Sequence, residues 1–100
     1  MCGINGFFSK RIFIDNELII HKMNQSISYR GPDDSGIWSN KDDGIFFGHQ
    51  RLSILDLSKT GHQPIHSKSG SLIMIFNGEI YNHLELRKEF GNFNWSGHSD

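Results

Sequence analysis

The sequence predicts an α+β fold, and three observations carry that prediction. Apolar runs of strand length recur at residues 2–8, 45–52 and 71–77. Two segments, 15–28 and 82–90, carry helix signals instead. Glycine, asparagine and aspartate separate the segments as loops. Strands outnumber helices, but neither class alone accounts for the pattern.

Residues 2–8 read as a short apolar strand interrupted by Gly3 and Gly6, glycines that mark a bulge or a close backbone approach. Asp15 is a candidate N-cap for a helix reaching about residue 28. Ile19, Met23 and Ile27 fall four apart on one of its faces, with Leu18 beside them. Arg30-Gly31-Pro32-Asp33-Asp34 breaks that pattern as a loop. Strands at 35–39 and 45–52 flank Asn40-Lys41-Asp42-Asp43-Gly44, a hairpin-like turn ending in glycine. Residues 56–70 are polar and irregular. Leu72, Ile73, Met74, Ile75 and Phe76 follow one another without alternation, which predicts a strand at 71–77 buried on both faces. Asn77-Gly78 ends it. Asn82 is a candidate N-cap for a second helix that Gly91 stops, and a last short strand is expected at 93–96. The chain stops at Ser99-Asp100 without a capping element, so a fragment cut inside a domain is expected.

Composition narrows the function. The 100 residues carry a net charge of −1, so no broad basic surface suggests a nucleic-acid partner. The single cysteine excludes an internal disulfide and fits a reducing compartment. Residues 4–8 are too short for the apolar region of a signal peptide, and Lys10 and Arg11 follow rather than precede them. No apolar run approaches the ~20 residues that span a membrane. A cytoplasmic protein with no membrane partner is the expectation.

That cysteine is Cys2. Removal of Met1 would leave it with a free α-amino group, whose reference pKa of about 7.7–8.0 suits a proton acceptor near neutral pH. One residue would then hold both nucleophile and base, as in N-terminal threonine enzymes. Read alone, Cys2 also fits a buried, inert thiol. Six histidines stand at positions 21, 49, 62, 66, 83 and 98. His62 and His66 are four apart, but Pro64 opposes the helix that would align them. No second cysteine or acidic cluster completes a zinc site, so no metal site is expected.

Four further segments join Met1-Cys2-Gly3-Ile4: Arg30-Gly31-Pro32-Asp33-Asp34-Ser35-Gly36, Gly48-His49-Gln50-Arg51-Leu52-Ser53-Ile54, Phe76-Asn77-Gly78-Glu79-Ile80-Tyr81-Asn82 and Gly97-His98-Ser99-Asp100. Together, and in this order, they resemble the class II, N-terminal nucleophile glutamine amidotransferase domain. The Arg-Leu-Ser-Ile and Asn-Gly-Glu-Ile-Tyr-Asn forms are most similar to the glutamine-hydrolysing asparagine synthetase branch. The resemblance covers residues 1–100 as the N-terminal part of a glutaminase domain. It implies a four-layer αββα sandwich of which this chain is an incomplete piece.

The resemblance also assigns roles. Cys2 becomes the nucleophile that attacks the glutamine side-chain amide, giving a thioester and ammonia. The Asn77 side chain and the Gly78 backbone N–H become the oxyanion hole; without the resemblance, Asn77-Gly78 reads as a tight turn. Arg51 becomes the clamp for the glutamine α-carboxylate, since a guanidinium grips a carboxylate in a fixed plane; its plainer reading is an edge arginine in solvent. Glu79 and Asp100 would face the α-ammonium, Glu79 through side chain or backbone. Arg30 and Asp33 read as support for the loop near the nucleophile, by salt bridge or by substrate contact. The Ser53, Ile54 and Leu55 backbone is a further candidate lining.

No cofactor is implied within these residues. The resemblance implies a C-terminal synthetase domain, absent here, that uses ATP and magnesium to activate aspartate for asparagine synthesis. It leaves open a homodimer, and an acceptor in cell-surface polysaccharide or secondary-metabolite biosynthesis. A truncated, non-catalytic remnant is the contrasting expectation.

Overall fold

The structure, a computed structural model, describes residues 1–11 and 15–100. Its centre is a three-stranded antiparallel sheet. Strand β1 (Gly3–Phe8) and strand β2 (Asp34–Asn40) flank strand β3 (Ile45–Arg51), giving the order β1-β3-β2. Asn40 and Gly44 make the β2–β3 hairpin. The Asn40 side chain accepts the Asp43 N–H and donates to the Asp43 carboxylate. Gly44 takes a φ of 71°, which favours glycine. The predicted hairpin and its flanking strands are therefore present to within a residue or two.

Helix α1 (Asn16–Ser26) lies across one face of this sheet. Asp15 caps it as expected, accepting the Leu18 N–H. Its buried face differs from the predicted one. Ile20 and Asn24 are buried, whereas Ile19 is exposed. The reason is a polar seam that an apolar pattern does not register. The Asn24 amide donates toward Ser35 Oγ and the Gly36 carbonyl and accepts from Asn5, while Gln50 Nε2 donates to the Asn24 carbonyl. Phe46 adds the apolar part of the core and stacks on Phe7 with centroids 4.6 Å apart.

Strand alternation sends Phe46, Gly48 and Gln50 toward α1 and Phe47, His49 and Arg51 to the opposite face. There, residues 52–64 cover the sheet instead of a helix. They include a 3-10 turn at Lys59–Gly61 and lead into β4 (Ile65–His66). β4 pairs with β5 (Ile73–Met74) in a separate two-stranded ribbon, and α2 (His83–Phe90) follows.

Two expectations are corrected here. The 71–77 run is strand only at Ile73–Met74, and it is not buried on both faces: Leu72 is 71% and Met74 50% exposed. An apolar run reports strand propensity but not the partner that must cover it. Residues 93–96 form no strand; Phe93 instead packs edge-on against Phe90 and tilts against Trp95. Asn82 precedes α2 but makes no side-chain cap, while Gly91 ends the helix at a φ of 64°. The described residues thus form a small α+β unit.

Candidate active site

Gly3 pairs with Gln50 on the α1 side of the sheet, so the residue before it belongs to the other face, with Arg51. The Cys2 sulfur lies there, half-buried and 3.3 Å from the Leu52 N–H that donates to it. The thiol reaches back to the Leu52 carbonyl at 3.7 Å. Two bonds to one backbone unit hold the sulfur in a single direction. The Cys2 backbone is pinned separately, because Arg30 Nε donates to its carbonyl at 3.2 Å. A side chain at Gly3 would press on Ile27 and Arg30, so glycine permits this approach. Arg30 therefore supports Cys2 directly. Asp33 supports the facing loop: its carboxylate accepts the Ser53 N–H at 2.7 Å, and its own N–H donates to the Arg51 carbonyl.

Arg51 is not an edge arginine in solvent. It is 8% exposed, and its guanidinium donates to the Ser58 carbonyl at 2.6 Å and to the Asp56 carbonyl. Those bonds curl residues 52–58 around it. Three of its five N–H donors remain for other partners. Arg51 also lines an open cleft of about 740 Å³ shared with Asp33, Asp34, Ser53, Lys59 and His62. At its rim His62 Nδ1 and Asp34 Oδ2 are 2.6 Å apart.

Asn77 and Gly78 sit in a bend anchored on both sides. Before it, the Phe76 N–H donates to Gln63 Oε1 at 2.6 Å, and the Phe76 carbonyl accepts from His49 Nε2 at 3.3 Å. After it, the Ile80 N–H donates to Asp100 Oδ2 at 2.5 Å. Gly78 does not adopt a positive φ. What limits a side chain there is the Phe76 ring, which a Cβ would meet at 2.9 Å. Glu79 is exposed beside the same anchor, so Asp100 and Glu79 share one neighbourhood.

His49 is 1% exposed, and burial pushes its pKa below the ordinary value of 6.5 despite the Phe76 carbonyl and Asp34, which favour the charged form. A neutral ring facing a carbonyl must donate from Nε2. Asp56, which sequence reasoning passed over as part of an irregular stretch, is also 8% exposed. Ser58 through its side chain and backbone, then the His98 N–H, hold its carboxyl well below the usual range against the opposing effect of burial. Its only sequence signal is its place five residues after Arg51.

These bonds connect the five motifs. Cys2 joins Leu52 and Arg30, Asp33 joins Ser53, His49 joins Phe76, and Asp100 joins Ile80. No hydrogen bond among the described residues runs from Cys2 to Asn77; the path between them passes through β3. The whole chain, residues 1–100, matches the glutamine amidotransferase domain family.

The chain belongs to the glutamine amidotransferase domain family.

Relatives of this amidotransferase domain agree. A Methanocaldococcus jannaschii protein named for glutamine-hydrolysing asparagine synthetase is 43% identical over 108 residues, covering 90% of this chain and 20% of that protein. Asparagine synthetase [glutamine-hydrolyzing] 1 of Bacillus subtilis is 45% identical over 92 residues, covering 89% and 14% respectively. Amidase chry2 of Gibberella zeae is 33% identical over 111 residues, covering 100% and 16%. The chain thus spans a fifth or less of the length of these relatives. Among the described residues, no three His, Cys, Asp or Glu side chains converge as metal ligands, and no helix is long and apolar enough to cross a membrane.

Proposed function

We propose that this domain hydrolyses glutamine through Cys2 and supplies the ammonia to an ATP-dependent, amide-forming synthetase region. The observation that carries the reading is the Cys2 sulfur, fixed on the Leu52 backbone immediately beside Arg51. With Met1 removed, the Cys2 amine takes the thiol proton and the sulfur attacks the glutamine carboxamide carbon. The C=O electrons move to oxygen, held by the Asn77 amide and the Gly78 N–H. Collapse expels ammonia, which leaves with the proton, and a thioester remains. Water then cleaves it to glutamate and restores the thiol. The free donors of Arg51 grip the substrate α-carboxylate, while Asp100 and Glu79 face its α-ammonium.

The complete domain is inferred to be a four-layer αββα sandwich, to which the described sheet and α1 contribute one sheet and one helical layer. Aspartate is the acceptor we infer, on the names of the asparagine synthetase relatives. ATP and magnesium serve that region, outside these residues. Amidase chry2 favours a second reading, in which the same glutaminase feeds a different acceptor.

The test uses the full-length protein. Cys2→Ala should abolish ammonia release from glutamine and leave ammonia-dependent amide synthesis intact. Loss of both activities would make Cys2 a structural residue and overturn the assignment.

A further inference from the structure

Glutamine recognition, as proposed above, needs its two head-group contacts at a fixed spacing. Arg51 and Asp100 lie on separate segments, 49 positions apart in sequence. One buried carboxylate touches both segments. The Asp56 carbonyl accepts from the Arg51 guanidinium. Its Oδ1 accepts the Ser58 N–H at 2.8 Å, which shapes the loop whose Ser58 carbonyl takes the other Arg51 arm. Its Oδ2 accepts Thr60 Oγ1 at 3.1 Å and, from the far segment, the His98 N–H at 3.2 Å. Two residues beyond His98, Asp100 is held on the Ile80 N–H. Close packing completes the junction, since a Cβ on Gly97 would lie 2.9 Å from both Asp56 Oδ2 and Thr60 Oγ1.

We propose that Asp56 is a positioning residue for glutamine: it sets the distance between the Arg51 clamp and the Asp100 carboxylate by tying residues 97–100 to the Arg51 loop. The inference rests on the glutaminase reading of this site. Asp56 itself touches neither the reacting atoms nor the head group. Of its three donors, the Ser58 and His98 N–H groups can only donate and so require an acceptor. Asparagine keeps the size of the side chain but turns one acceptor into an N–H₂ group. Either the Ser58 or the His98 N–H then faces a donor.

The test compares Asp56→Asn and Gly97→Ala with wild type in the full-length protein, by steady-state ammonia release from glutamine. Gly97→Ala leaves the carboxylate in place and pushes the two segments apart. It decides the matter if Asp56→Asn does not fold. Head-group contacts are shared by ground and transition states, so both variants should raise the glutamine KM about tenfold with kcat within about threefold. A purely structural role would reduce the active fraction, lowering kcat with KM unchanged, and that result overturns the proposal. So does a KM within about twofold of wild type in the folded variants. If wild type itself releases no ammonia from glutamine, the glutaminase reading falls and takes this inference with it. Wild-type turnover with unmoved KM in the variants removes the inference alone.

Discussion

At the scale of single residues, His49 links the central strand to the proposed oxyanion segment. Its ring is buried, and its Nε2 donates to the carbonyl of the residue before Asn77. The unfolded chain binds a proton at this residue near pH 6.5, and the folded chain only at lower pH. Between those values the unfolded state holds more protons. The stability contributed by neutral His49 is therefore complete above the unfolded pKa and is lost as pH falls through the folded one. The thermal midpoint should decline as pH is lowered below about 6.5. His49→Gln keeps an N–H donor but cannot titrate, so its midpoint should decline less steeply over the same range. Equal slopes in the two proteins would assign the acid sensitivity to other groups. Cys2, Arg51, Asn77 and Asp100 were singled out from the sequence because their motifs carry chemical side chains in a recognisable order. Asp56 and His49 were not, because each acts through backbone partners that only the folded chain brings near.

Among the elements, the β2–β3 hairpin and α1 were legible because their signals are local: a glycine-closed turn and an aspartate N-cap. The buried face of α1 was displaced by one residue, from Ile19 to Ile20 and Asn24, because its seam against the sheet is polar. The 71–77 run misled for a different reason. Its partner is the two-residue β4, which no spacing in the sequence announces. The opposite face of the sheet depends on Gly36. It is buried in β2, and a Cβ there would overlap the Gln63 carbonyl, which is backbone and cannot swing aside. Gln63 in turn accepts the Phe76 N–H ahead of Asn77. Gly36→Ala should therefore destabilise the fold by about 1–3 kcal/mol, the usual cost of overpacking, and should impair glutamine turnover. Denaturant titration measures the first effect. An unchanged midpoint would mean that the 62–64 segment does not lie against β2.

Across the whole molecule, the two faces of the sheet are covered differently. One face packs on α1 through Ile20, Phe46 and the Asn24–Gln50 seam. The other presents Cys2, His49 and Arg51 to loops rather than to a helix, and loops can be shaped around a small polar substrate. The class of the fold and the order of its motifs were readable because they depend on sequence order alone. The convergence of residues 97–100 on the Arg51 loop was not, because it rests on the His98 N–H donating to the Asp56 carboxylate. The central claim is that Cys2 acts with its own α-amine, and it needs Cys2 to be the first residue of the working enzyme. The decisive measurement is the intact mass of full-length protein that is turning over glutamine, taken on the same preparation. The account predicts a mass short by Met1. A protein that keeps Met1 and still hydrolyses glutamine at its full rate would contradict it.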